Sequence, residues 1–391
     1  MLVAAEASGD ALGAGLAQAL RVRRPDIDFV GVGGPKMASE GIESPFDIAE
    51  LSILGWLEGL RAYGRVKARV ADTVALAVRE RPDAVVLIDS WGFTIRVARA
   101  LRGALPGVPL IKYVGPQVWA SRPGRAKTLA GAVDHLLALY AFDAPWFERE
   151  GLPTTVVGSQ ALHVDMGGGD PTGFRAARDI APDARLLLVL PGSRPSEVRL
   201  MTPVYEAAIK RLKAADAKLE VAVVVAGTVA EDVTARIAAW PFRAHVVTEA
   251  DKYAAMKAAT VALATSGTVS TELALAGAPM VIGYRFAPLS YAIMKPFFTG
   301  RYATLFNHAA DEEIARELIQ TDATPEKVAA EVGRLLSNPD ARTAQSRRQT
   351  EALDYMGRSG ADPSTLAAEA VLNVIAGTSG SNSLSAIGSA G

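Results

Sequence analysis

Cysteine is absent from the 391 residues, which excludes disulfides, thiolate nucleophiles and cysteine zinc sites together. Histidine is scarce. His135, His163, His245 and His308 are far apart and form no HExxH pair, so no histidine-rich or structural metal site is expected. Neither sign of charge prevails: 41 basic and 42 acidic residues leave a net charge of −1, with no basic footprint for nucleic acid. No apolar run reaches the roughly 18 residues of a membrane span, and no charged segment followed by an apolar h-region opens the chain. Neither spanning nor export by a signal peptide is expected.

Apolar residues make up 50% of the chain, and a prior of roughly 150 residues per domain suggests two or three domains. Short runs of Val, Ile and Leu alternate with amphipathic stretches, the pattern of βα units around parallel sheets. Strands are predicted at 2–6, 27–33, 83–89, 109–115, 135–141 and 154–158, the first of them met at its end, with its earlier residues outside this sequence. After the glycine-rich linker QALHVDMGGGDPT (160–172), strands are predicted at 185–190, 220–226, 243–248, 261–265 and 279–284. The expected architecture is α/β, with two Rossmann-like doubly wound domains, 1–160 and 173–339, facing each other across a cleft. Helices over 340–376 are expected to pack back on the first domain, and the small, polar tail 377–391 to be disordered.

Several strand ends carry candidate chemistry. In SGTVSTELALAG (266–277), Ser266, Gly267 and Thr268 form a strand-to-helix turn suited to a phosphate, and Glu272 lies one turn inside, suited to a ribose diol. The same residues also describe an ordinary capped helix with Thr268 as N-cap. LLLVLPGSRPSEVRL (186–200) repeats the logic, with Gly192 and Ser193 in the turn and Arg194 able to neutralise a leaving diphosphate.

In AEASGDALGAGL (5–16), Glu6, Ser8 and Asp10 sit at a strand's carboxyl end, where open α/β sheets bind ligands; Asp10 equally suits a helix cap, and no complete GxGxxG is present. In DAVVLIDSWGF (83–93), Asp89 ends a buried strand and is a candidate general base or a cap. Trp119, Arg122, Arg125 and Lys127 in YVGPQVWASRPGRAKTLA (113–130) suit a sugar or phosphate, or form a solvated loop with one core tryptophan. LSILGWLEGL (51–60), containing Trp56, and PLSYAIMKPFFTGRY (288–302), with Lys295 and Arg301, read as core helices or as faces for acyl chains and anionic headgroups.

Taken in order, AEASGDALGAGL, LSILGWLEGL, IDSWGF, PQVWASRPGR, FEREGLPTTVVGS, LPGSRPSE, SGTVSTELALAGAPMVIGYR and the stretch around Asn307 resemble the lipid-A-disaccharide synthase family, two-domain bacterial glycosyltransferases of the B-type (GT-B) fold. The likeness runs from about residue 2 to residue 335. It implies transfer of a sugar from UDP-2,3-diacylglucosamine to 2,3-diacylglucosamine 1-phosphate (lipid X), forming a β-1,6-linked disaccharide and UDP with inversion, without metal or cofactor. It also implies a cytoplasmic protein, peripheral at the inner-membrane surface, and suggests a homodimer.

Carried over by motif, Ser193, Arg194, Ser266, Gly267, Thr268 and Glu272 belong to the UDP-sugar site, with Asn307 near the diphosphate or sugar. Asp89 becomes the base for the acceptor hydroxyl, with Glu6 beside the reacting sugars; Ser8, Asp10, Trp56, Trp119 and Arg122 fall to the acceptor and lipid side. The chain departs from the family where IDxPDF reads IDSWGF, so that Trp91 and Gly92 replace a proline and an aspartate. It departs again at Ser121, where the family often has tryptophan, and at Gly158-Ser159-Gln160, where it has Gly-His-Pro. The alternatives are a UDP-sugar 2-epimerase of the same architecture and a catalytically inactive lipid-binding relative.

Overall fold

The computed structural model describes residues 1–51, 59–265, 267–287, 291–292, 295 and 298–387, of which 59–62, 268 and 378–387 are described by their backbone alone. The chain forms two compact units: Met1–Gln160 together with Gly360–Gly391, and Ala161–Ser359.

The first unit is built on a parallel sheet of six strands: β1 (Leu2–Ala4), β2 (Gly31–Val32), β3 (Val85–Ile88), β4 (Leu110–Tyr113), β5 (His135–Ala138) and β6 (Thr154–Val156). Their order is β2-β1-β3-β4-β5-β6. The second sheet is also parallel and six-stranded: β7 (Leu186–Leu190), β8 (Glu220–Val224), β9 (His245–Val247), β10 (Val261–Thr265), β11 (Met280–Tyr284) and β12 (Arg316–Ile319), in the order β12-β11-β10-β7-β8-β9. Strands such as VVLI and LLLVL are buried at every position because helices cover both faces of each sheet. Each sheet reverses its strand order once, between β1 and β3 in the first and between β7 and β10 in the second. At such a reversal the connections leave in opposite directions and open a crevice beyond the carboxyl ends of the strands.

The predicted strands all occur: 261–265 keeps its bounds, 27–33 shortens to Gly31–Val32, and the others lose one to three residues where their ends turn into loops. β12 has no counterpart in the sequence reading. The helix Pro339–Tyr355 packs within the second unit, where Gln345 brackets Met280 through both its N–H (3.3 Å) and its carbonyl (2.8 Å). Only the chain from Gly360 returns to the first unit, so the expectation for 340–376 is corrected to its last part. There the helix Pro363–Ile387 buries Ala367, Ala368, Ala370 and Val371 in a cluster with Leu2, Leu16, Leu20 and Tyr113. It continues through 377–387, which were expected to be disordered: once a helix is nucleated by packing, extending it costs little.

Candidate functional site

In the second unit a pocket of about 270 Å³ opens at the β7/β10 reversal. Gly192, Ser193, Arg194 and Glu197 line it from the β7 side, Thr265, Gly267, Val269 and Glu272 from the β10 side, and Glu249 and Lys252 close it. Both turns need glycine, since Gly192 has φ +113° and Gly267 φ +100°. Two motifs far apart in sequence thus meet at one crevice.

The donors of that crevice are distributed differently from the simple phosphate-turn picture. Glu197, in the first turn of helix Pro195–Ala215, accepts the backbone N–H groups of Ser193 (3.1 Å) and Arg194 (3.3 Å), so these amides are already engaged. Arg194 donates to the same carboxylate at 3.1 Å, yet its side chain is 75% exposed and presents further guanidinium donors. On the β10 side the cap of helix Thr268–Leu275 is Gly267, not Thr268, and Ser270 Oγ donates to the Gly267 carbonyl at 2.7 Å. Glu272 is held by Lys252 Nζ at 3.1 Å and Tyr253 Oη at 3.4 Å. Burial opposes the Lys252 charge, but Glu272 and Glu249 outweigh it and raise its pKa above the usual lysine value. Glu249, Lys252 and Tyr253 were missed in sequence because EADKYAAM (249–256) reads as an ordinary helix start. Ser266 lies outside the described residues, as does the side chain of Thr268.

Asn307 has a different place from the one expected. It is fully buried, its amide nitrogen donates to Ala315 O (2.8 Å) and Glu317 Oε1 (2.9 Å), and its amide oxygen accepts the Ala315 N–H at 3.0 Å. These bonds tie the helix Leu305–Ala310 to the start of β12 and leave no amide group to reach a diphosphate.

In the first unit the β1/β3 reversal gathers Glu6, Ser8 and Asp89. Ser8 Oγ donates to Asp89 Oδ2 at 2.8 Å, and Glu6 stands exposed at the start of helix Ala7–Arg23. Asp89 and Ser90 both have left-handed backbones, φ +49° and +37°, so the carboxylate leaves β3 through a strained turn. Asp10 is not part of this group. It is 2% exposed and accepts the N–H groups of Gly34 (2.7 Å), Lys36 (2.9 Å) and Met37 (3.0 Å), capping the helix Pro35–Ser39.

Trp119 is likewise withdrawn: it is 5% exposed, its Nε1–H donates to Asp143 Oδ1 at 3.0 Å, and Phe142 meets it edge-on at 5.7 Å. It is the core tryptophan of its loop rather than a stacking platform. Arg122 is exposed with φ +53°. Neighbouring Arg125 lies over the ring of Trp91, 5.2 Å from its centroid, giving the departure at Trp91 a packing partner. Trp56 lies outside the described residues.

Two sheets of this topology, each with charged side chains gathered at its order reversal, define the fold class of GT-B glycosyltransferases and UDP-sugar epimerases. The S. aureus MnaA–UDP co-structure shares it with a TM-score of 0.63 at 14% identity, covering 96% of this chain and 95% of that one. So does a glycosyltransferase of kitacinnamycin, with a TM-score of 0.58 at 17% identity over 95% and 97% of the two chains. The chain belongs to the lipid-A-disaccharide synthetase family, which matches residues 1–371. It is 44% identical over 376 residues to the lipid-A-disaccharide synthase of Rhodospirillum centenum, covering 96% of this chain and 94% of that relative. It is a glycosyltransferase of lipid A biosynthesis, acting on lipid-linked sugars.

Proposed function

We propose that the chain joins a UDP-2,3-diacylglucosamine donor to 2,3-diacylglucosamine 1-phosphate. Asp89 takes the proton of the acceptor's primary hydroxyl, and the hydroxyl oxygen forms the new bond to the anomeric carbon. The bond from that carbon to the diphosphate breaks with inversion, and UDP leaves with the electron pair. In the second unit, Arg194 meets the diphosphate with its exposed guanidinium. Ser193 and Gly267 shape the turn walls, Ser266 and Thr268 are assigned to the same UDP site by their motif alone, and Glu272, oriented by Lys252, takes the ribose diol. Asn307 acts through the loop it fastens. On the acceptor side, Glu6 and Ser8 flank Asp89, with Arg122 near the acceptor's anionic end.

The reading rests most on Asp89, a carboxylate at the carboxyl end of β3, beside the order reversal of its sheet and fixed by Ser8. Its test is incubation of the purified protein with both lipids in detergent, following UDP and disaccharide. Absence of disaccharide overturns it, and a C2-epimerised nucleotide sugar would put an epimerase in its place. Asp89→Asn is expected to lower kcat by a factor on the order of 10² to 10⁴, as for loss of a general base.

Among the described residues no helix is long and apolar enough to cross a membrane. We further propose peripheral attachment at the cytoplasmic face of the inner membrane, and a homodimer. Co-sedimentation with anionic-lipid vesicles tests the first, and light scattering the second.

A further inference from the structure

Strand β4 runs between β3 and β5, and all four of its side chains are buried. Three of them are tyrosine or aliphatic residues, as such a strand requires. The fourth is Lys112, 2% exposed. Its ladder neighbours are Leu87 on β3 and Leu136 on β5, so neither position offers it a charge. The ammonium instead reaches the carboxyl edge of the sheet, where it donates to the backbone carbonyl of Asp89 and, at 2.9 Å, to Thr94 Oγ1. That hydroxyl lies 2.9 Å from Asp89 O and 3.0 Å from Ser90 O.

An aliphatic side chain at this position would pack without the cost of taking an ammonium out of water. The carbonyl that Lys112 grips belongs to the first of two consecutive left-handed, non-glycine residues, a conformation that persists only where its surroundings enforce it. The charges facing the ammonium are Asp89, from the turn after β3, and Glu6, from the end of β1; the helix Trp91–Ala104 contributes the Thr94 hydroxyl. Burial brings the Lys112 pKa down to about 7, although Asp89 and then Glu6 raise it.

We propose that Lys112 is the positioning residue of the acceptor-side base: it clamps the Asp89 carbonyl so that the carboxylate leaves the sheet at a fixed angle, and its ammonium is the counter-charge to Asp89 and Glu6. This deepens, and rests on, the reading of Asp89 as the base. A lysine there orients the base without touching substrate.

The test compares Lys112→Met, Thr94→Val and Asp89→Asn with the wild type in pH-resolved steady-state kinetics. Lys112→Met is expected to lower kcat by roughly 10- to 100-fold, since misplacing a catalytic group by about an ångström has effects of this order. Acceptor KM and UDP affinity should stay within about twofold. Wild-type kcat should fall as pH rises through about 7, where the buried Lys112 gives up its proton, and Lys112→Met should lack that step. Thr94→Val loosens the same clamp but keeps the charge, so kcat falls and the step near pH 7 stays.

A wild-type pH profile in folded Lys112→Met overturns the inference, whatever its kcat. If that variant does not fold, wild-type kcat in Thr94→Val overturns it. Full activity in Asp89→Asn removes the base reading itself. Loss there with a wild-type profile in Lys112→Met removes only the inference.

Discussion

Asp143 carries a carboxyl group in a packed aromatic corner, between Trp119, Phe142 and the stacked ring of Tyr140. Burial raises its pKa from 3.8 to about 7, against the opposing pull of the Trp119 N–H and the Tyr140 backbone. The unfolded chain ionises this group near pH 4 while the folded one keeps its proton, so the unfolded state binds fewer protons between about pH 4 and 7. Stability therefore falls as pH rises through that window, and the penalty is complete above about 7. A shift of this size corresponds to at most about 4 kcal/mol. Asp143→Asn keeps an acceptor for Trp119 and does not titrate, so it should gain ~1–3 kcal/mol over the wild type at pH 8 and little at pH 4 in urea denaturation. Equal gains at both pH values would count against a buried, protonated Asp143. At the other site, Arg194→Ala should weaken UDP binding by roughly tenfold, the loss of one charge-assisted contact. Calorimetry showing equal affinity in a folded variant would remove Arg194 from the diphosphate.

The loop between β7 and helix Pro195–Ala215 depends on one glycine. A Cβ on Gly192 would stand 2.6 Å from both Cβ and Oε2 of Glu197, at a φ of +113°. Gly192→Ala should cost about 1–3 kcal/mol through backbone strain. It should also displace the carboxylate that binds the Ser193 and Arg194 amides, weakening UDP binding at the same time. Thermal unfolding and UDP calorimetry on one preparation check both effects.

What was legible in sequence follows from how each element is stabilised. Most strands lie within apolar runs, and eleven of the twelve could be read that way. β12 could not: it is an edge strand reading RELI, and half of it is charged. Residue type was a weaker guide at the sites. Asp10 and Asn307 stand in the right motifs, but a short polar side chain serves equally to bind a ligand or to fasten two loops, and only the hydrogen bonds distinguish the uses. Lys112 was overlooked because one lysine within LIKYV hardly disturbs an apolar run. A charge at the centre of a strand buried on both faces was the available signal.

The first unit is discontinuous in sequence and the second is not. Gln160, the last residue before the chain leaves the first unit, donates to Ser364 Oγ at 2.8 Å and to Asp362 Oδ1 at 3.4 Å, close to where the chain re-enters. This gives the departure at Gln160 a structural use. Removing residues 360–391 would uncover Leu16, Leu20 and Tyr113, which pack in one cluster with the last helix. Hydrogen exchange on such a truncation should show protection lost across β1–β6 and kept across β7–β12; retained protection in both sheets would show that the helix only decorates the first unit.

The order of synthesis gives this arrangement a further meaning. A ribosome delivers the sheet β1–β6 first, yet the helix that seals it emerges only after the whole second unit. The second unit, complete once residue 359 is out, can close while its older neighbour still waits with an open apolar face. Until that helix docks, the open face is surface of the kind through which partly folded chains aggregate.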